Sequence, residues 1–215
     1  MDEAERSYLP ALGKRWLLPL YDPLLWLLGA DAPKRLLIDQ AGIRSGFRVL
    51  DVGCGTGTMA VQIKKLHPES EVVALDPDPA ALSVAERKAK RARIAVEFDR
   101  GFSDHMSYPD ASFDRVFSSF MFHHLTKEER LATLVEIRRV LKRRGSLHLL
   151  DFAPHDGASH GNGGHRFHLA PHPQERFEGH MTDLMSEAGF DEPSQLARGK
   201  IIFGAIAYYR AQAPA

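Results

Sequence analysis

Val49-Leu50-Asp51-Val52-Gly53-Cys54-Gly55-Thr56-Gly57-Thr58-Met59-Ala60 reads as a buried strand that runs into three glycines and then into the start of a helix. Glycines let a backbone turn tightly and let a ligand approach with no Cβ in the way. The helix start behind them offers unpaired N–H groups. Asp76 closes the next apolar run, Glu71 to Asp76 (EVVALD), where a carboxylate can take both hydroxyls of a ribose. Strand, glycine turn, helix, strand and acid together point to a cofactor that contains a nucleoside. Gly55 to Ala60 also fits G-x-G-x-x-G/A, so the local pattern permits NAD. Asp51 argues the other way. It stands two residues before the first glycine, where it would repel a pyrophosphate and would suit a cationic ligand carrying an amine and a sulfonium. No second mononucleotide half follows.

Outward from this turn the chain alternates strand and helix signals. Strands are expected at Phe47–Val52, Glu71–Asp76, Ile94–Phe98, Arg115–Ser119 and Leu147–Phe152. Helices are expected at Thr58–Leu66, stopped by Pro68, and at Ala80–Arg93. A longer helix starts at Thr126, with Glu129 three residues on as a capping box, and Gly145 is its expected stop. A late helix, Glu175–Ala188, stops at Gly189, and Ile201–Tyr209 forms a last strand, antiparallel to one near Pro193–Ala197. Such alternation predicts a doubly wound, Rossmann-like, seven-stranded and mostly parallel sheet with helices on both faces and an antiparallel last strand.

Asp-Val-Gly-Cys-Gly-Thr-Gly after Val49-Leu50 resembles motif I of the class I S-adenosylmethionine-dependent methyltransferases. VVALDPDPAAL, YPDASFDRVFSSFMFHHL, EIRRVLKRRGSLHLLDF and LMSEAGF continue the likeness from about Phe47 to Phe190. The similarity is closest to the ubiquinone/menaquinone-biosynthesis type, whose relatives methylate small molecules and lipid head groups. It implies S-adenosyl-L-methionine as cofactor and S-adenosyl-L-homocysteine as product. The cofactor-binding residues it implies are Asp51, Gly53, Cys54, Gly55, Gly57, Asp76, Pro77, Phe102, Ser103, Ser118 and Tyr21. Two positions depart from the pattern. Phe102 stands where an Asp usually holds the adenine amine, leaving Asp104 as a substitute, packing of Phe102 on the base, or the Ser103 N–H. Arg143-Arg144 replaces the usual Pro-Gly, and with Arg138, Arg139 and Lys142 it forms a basic cluster read as the end of the long helix, either a solvated face or an anionic partner's surface.

Methyl transfer from a sulfonium needs a base only when the acceptor must lose a proton. His123 and His124, just past the fourth strand, are the catalytic candidates, against the alternative that they cap or pack. Residues 1–44 read as an N-terminal helical lid and 45–215 as the cofactor-binding domain. The stretches Trp16–Tyr21 and Pro23–Ala30 are apolar but too broken to span a bilayer, so they either pack on the domain or form an interfacial lid over an apolar acceptor. Tyr21 in this segment is assigned to the cofactor, the acceptor or packing. Ala153–Gln174 carries five histidines, for which metal ligation, a pocket role and a solvated loop all stay open. No metal site is assigned, because the only cysteine is Cys54 and His168/His172 are separated by Pro171.

The 215 residues suit one ordinary domain, and 44% hydrophobic with 26% charged residues excludes a largely disordered chain. Lys+Arg and Asp+Glu both number 28, so no net charge draws the chain to nucleic acid. An RNA methyltransferase remains a rival through Arg87–Arg93 and Arg138–Arg144, as do a non-catalytic adapter and an NAD-dependent oxidoreductase. Asp2, Glu3 and Glu5 are not the basic start of a signal peptide, and a lone cysteine fits a reducing compartment. The expectation is a cytoplasmic enzyme with a small, hydrophobic or amphipathic methyl acceptor, such as a quinone ring or lipid head group. Peripheral membrane contact is expected through the N-terminal segment. The sequence does not set the oligomeric state.

Overall fold

The computed structural model describes residues 31–153, 180–202 and 204–215. In chain order these form α1 (Asp31–Gln40), β1 (Arg48–Val52), α2 (Thr58–Leu66), β2 (Glu71–Asp76), α3 (Pro79–Ala92), β3 (Glu97–Arg100) and β4 (Phe113–Ser119). A 3-10 turn (Phe122–His124) follows, then α4 (Lys127–Val140), β5 (Leu141–Phe152), α5 (Met181–Glu187), β6 (Asp191–Ile201) and β7 (Gly204–Gln212). The strands make one sheet in the order β3-β2-β1-β4-β5-β7-β6. The first five lie parallel, and β7 runs antiparallel to both β5 and β6.

The central strands read as near-continuous apolar runs because both faces of a parallel sheet are covered. One face buries Leu50, Val52, Val116, Leu147 and Leu149 against Leu134 and Ile137 of α4 and Leu184 and Met185 of α5. The other buries Val49, Val72, Phe117 and Leu150 against Leu37 and Ile38 of α1 and Met59 and Ile63 of α2. Helix starts follow local chemistry. Asp78 caps α3 by accepting from Ala80 N–H, with Pro79 in the first helical turn. At α4 both halves of the capping box form: Glu129 N–H donates to Thr126 Oγ1 and Thr126 N–H to Glu129 Oε2.

Three expectations are corrected. The long helix stops at Val140, not Gly145, and residues 142–145 belong to β5. The β4–β5 register slips between Phe113/Leu141 and Arg115/Ser146, and Arg144 sits there at φ 60. Gly145 is needed because a Cβ would stand 2.8 Å from the Lys142 carbonyl oxygen. The basic cluster is thereby split between helix and strand. The third strand lies at 97–100, later than expected. Ile201 ends β6, and the last strand runs 204–212, its partner spanning all of Asp191–Ile201.

One buried polar group in β5 lies away from the site. His148 is fully buried, stacks on Phe117 at 5.4 Å and shares a hydrogen bond with Ser146 through Nε2 (2.9 Å). Its Nδ1 has no partner among the described residues. Burial, reinforced by Arg115 and Arg210, pushes its pKa down to about 3.

Candidate active site

β1 pairs with β2 on one side and β4 on the other, so the chain's winding reverses there and a crevice opens at the carboxyl ends of these strands. The glycine turn lies at that end. Gly53 and Cys54 N–H groups both donate to the Leu75 carbonyl (2.8 and 3.0 Å), which pins the turn to β2. Gly53, Gly55 and Gly57 all adopt positive φ, at 69, 53 and 71. They are glycine for different reasons. A Cβ on Gly53 would collide with Met121 Cγ, and one on Gly57 would stand 2.7 Å from Ala85 Cβ of α3, whereas one on Gly55 would meet nothing within 4 Å among the described residues. Gly53 and Gly57 serve packing, and Gly55 leaves a free approach to the backbone.

Two carboxylates flank this approach. Asp76 takes the Gly55 N–H on Oδ2 (2.7 Å) and the Asp78 N–H on Oδ1 (2.9 Å), and burial raises its pKa. Asp51 is 1% exposed. Its Oδ2 accepts the Ala60 N–H at the start of α2 (3.1 Å), and its Oδ1 has no hydrogen-bond partner among the described residues. Burial lifts its pKa to about 7, against the opposing pull of Lys34, and Asp76 adds to the rise. A buried carboxylate with one unsatisfied oxygen, in the field of a second carboxylate, suits a cation and rejects a phosphate. The turn, the orphan oxygen and Asp76 therefore fit a ligand with a ribose and a positively charged amino-acid end.

The other expected residues take varied places. Ser118 is buried and donates to the Val52 carbonyl (3.0 Å), which ties β4 to the end of β1. Pro77 lies between Asp76 and the Asp78 cap, and its carbonyl accepts from Arg100 (3.4 Å). Cys54 is half-buried, and burial beside Asp51 and Asp76 raises its thiol pKa. Gly101 N–H reaches the Asp76 carbonyl (3.3 Å), so Phe102 follows directly beside the ribose-side acid and bridges to His105. The Ser103 hydroxyl pairs with Thr133 of α4 (2.8 Å). Tyr21, residues 1–30 of the expected N-terminal lid and residues 154–174 of the histidine-rich loop lie outside the described residues, while the rest of the expected lid, residues 31–44, carries α1, whose Leu37 and Ile38 pack on the sheet. Among those described, no group of three His, Cys, Asp or Glu side chains is placed to hold a metal ion.

His123 and His124 sit in the 3-10 turn, rings 4.0 Å apart. Their settings differ. His123 Nδ1 lies 2.7 Å from Asp151 Oδ1, and His123 N–H donates to Asp151 Oδ2 (3.1 Å). Asp151, at the carboxyl end of β5, is 3% exposed and also accepts from the Phe152 N–H (2.7 Å). His124 Nδ1 is buried without a partner among the described residues, and burial together with His123 pushes its pKa down to about 4. Phe152 packs edge-on against His123 at 4.9 Å, and Phe120 packs on Phe152 at 5.3 Å. Sequence reasoning missed three residues here. Asp151 repeats the pattern of Asp51 and Asp76, an acid closing an apolar strand. Lys88 ties α3 to the turn through the Thr58 hydroxyl (2.7 Å) and Thr56 hydroxyl (3.3 Å), and Met121 covers Gly53.

Residues 49–145 match a methyltransferase domain family. The demethylmenaquinone methyltransferase of Deinococcus radiodurans is 37% identical over 139 residues, 63% of this chain and 57% of that protein. The chain thus spans somewhat more than half the length of that relative. Among solved structures, a SAM-dependent methyltransferase from Aquifex aeolicus superposes with TM-score 0.63 at 22% identity, over 84% of this chain and 89% of its own. The [4+2]-cyclase SpnF superposes with TM-score 0.66 at 19% identity, over 86% and 81%. A cyclase on the same frame means that fold alone does not fix the chemistry. With the sequence match over the glycine turn and the strands that follow it, residues 49–145 of the chain are a methyltransferase domain.

Proposed function

We propose that the protein transfers a methyl group from S-adenosyl-L-methionine to a small hydrophobic or amphipathic acceptor, a quinone-type ring first among those to test. The observation that carries this reading is the unsatisfied, buried Asp51 Oδ1 beside the open backbone at Gly55. Asp51 would hold the cationic amino-acid end, Gly55 would let the ligand lie against the turn, and Asp76 would take the ribose hydroxyls with its remaining lone pairs. When bound, the donor supplies a methyl already activated on a sulfonium. The protein's work is alignment, and proximity and orientation are worth about 7–11 kcal/mol. Ser118, bonded across to Val52, and Gly53, closed over by Met121, keep the ends of β1 and β4 rigid beneath the reacting groups.

The hydrophobic acceptor is supported by apolar surface at the same end of the sheet. Phe152 is 37% exposed and Ile202, in the β6–β7 turn, 70%. A groove of about 650 Å³ runs between Ala32, Pro33 and Leu36 of α1 and Ile201, Ile202 and Tyr208 of the last hairpin. No helix among the described residues is long and apolar enough to cross a membrane, and peripheral contact stays part of the proposal. Titration calorimetry with S-adenosyl-L-homocysteine tests the reading. Binding is expected for the wild type, with NAD silent. Asp76→Asn should weaken it by about 1.5–3 kcal/mol, as for a hydrogen bond to a charged group. Absence of S-adenosyl-L-homocysteine binding by the folded wild type would end it.

A further inference from the structure

We infer that Asp151 is a positioning residue that fixes His123 as the general base of this site, so that the acceptor is one that must give up a hydroxyl proton. The inference rests on the methyltransferase reading for the identity of the reaction, but its geometry stands alone. An ionised carboxylate only accepts, so the 2.7 Å contact puts the His123 proton on Nδ1 and leaves the Nε2 lone pair as the ring's basic site. Asp151 cannot turn away. One oxygen holds the His123 backbone N–H and the other the Phe152 N–H, and the side chain is 4% exposed against 17% for His123. The histidine is thus clamped at ring and backbone by one carboxylate from a different strand.

The groups facing the pair leave it a single proton acceptor. His124, in the same turn, has its pKa pushed down to about 4 by burial and His123, which makes it a weak base. Arg130 of α4 feels the Asp151 charge while its Nε donates to the Phe122 carbonyl (2.8 Å), which fixes the turn from below. Tyr209 of β7 also feels Asp151, and its phenol is raised, chiefly by burial, so it stays protonated. The remaining wall is aromatic: Phe152 on the His123 ring and Phe120 on Phe152. Phe120 is held at φ 55, a left-handed conformation a phenylalanine rarely adopts, and such outliers concentrate at functional sites. A base beside flat apolar rings suits a hydroxylated aromatic. In the step, the acceptor O–H proton passes to His123 Nε2 and the electron pair freed on that oxygen forms the new oxygen–methyl bond. The carbon–sulfur bond breaks with its pair left on sulfur. Asp151 stabilises the imidazolium until its proton leaves to water.

The test has one arm without turnover. Long-range 15N–1H spectra of the ligand-free protein should show His123 as the Nδ1–H tautomer, and Asp151→Asn should abolish that preference. In the second arm the probe is 1,4-dihydroxynaphthalene, with its dimethyl ether as control. His123→Gln should lower kcat by about 10²–10⁴-fold, the range for a positioned base. Asp151→Asn should lower kcat with KM changed less than about threefold, and should move the acidic limb of the rate–pH profile to lower pH. Asp151→Glu should recover part of the loss. S-adenosyl-L-homocysteine affinity should be unchanged in all three, which also reports folding. An Nε2–H tautomer in the wild type, or a His123→Gln protein with kcat intact, overturns the inference and leaves the methyltransferase reading standing. So does a wild type that binds S-adenosyl-L-homocysteine but turns over neither hydroxylated ring nor ether. Loss of S-adenosyl-L-homocysteine binding by the wild type removes both.

Discussion

Gly55 and Gly57 stand two residues apart in the same turn, and their replacement by alanine should fail differently. At Gly57 a Cβ would overlap Ala85, so Gly57→Ala adds overpacking to positive-φ strain, together about 2–5 kcal/mol of stability. At Gly55 only the strain applies, about 1–2 kcal/mol, while the methyl would stand in the ligand's path. Thermal melts should therefore single out Gly57→Ala, and calorimetry Gly55→Ala. Asp51 makes a proton-linked prediction. Its carboxyl is raised to about 7, so the stability it contributes is present below pH 4 and is lost as pH rises toward 7. A cationic ligand reverses this by ionising the group. At pH 6, binding of S-adenosyl-L-methionine should release up to one proton, seen as a dependence of the observed enthalpy on buffer ionisation heat. Asp51→Asn should release none. Asp51 and Asp76 were legible in the sequence because each closes an apolar run next to glycines or a proline. Asp151 closes such a run too, but its meaning depends on His123, on a different strand's loop, and no local pattern records that pairing.

At the scale of elements, helix starts were easier to read than helix ends. Thr126 and Glu129 announce α4 through hydrogen bonds within one turn. Its end is set by tertiary contact: Ala111 and Ser112 N–H groups take the Arg139 and Val140 carbonyls, so the helix stops where another segment satisfies it. A glycine farther on, required by a close backbone approach inside β5, then looks like a helix stop. β5 also carries His148. Its pKa is depressed, so the stability it contributes is present above about pH 6.5 and is lost as pH falls through about 3. By pH 5 the loss is about 2 kcal/mol, from 1.5 units at 1.36 kcal/mol each. His148→Leu should flatten the decline in melting temperature between pH 7 and pH 5. An unaltered decline would assign the acid sensitivity elsewhere, with His124 as the next group to test.

The whole molecule was legible where strands and helices alternate, because parallel sheets demand crossovers and apolar runs at regular intervals. It was less legible at the last hairpin. There Ile201 to Tyr209 looks like one strand, yet the turn falls inside it, since Ile201 pairs with Gly204. This hairpin supplies β5 with its second neighbour: seven residue pairs from Ser146/Gln212 to Phe152/Ile206. The chain is made from its N-terminus, so β5 is synthesised well before the strand that covers it. Until residues 204–212 have left the ribosome, the strand bearing Asp151 presents a bare, apolar hydrogen-bonding edge of the kind that recruits other chains. Protein quality control would meet this fold as an unfinished sheet with its reactive strand outermost. A nonsense codon at Gly204 should accordingly yield insoluble or chaperone-bound chains, although every residue of the glycine turn and the histidine pair would already be present.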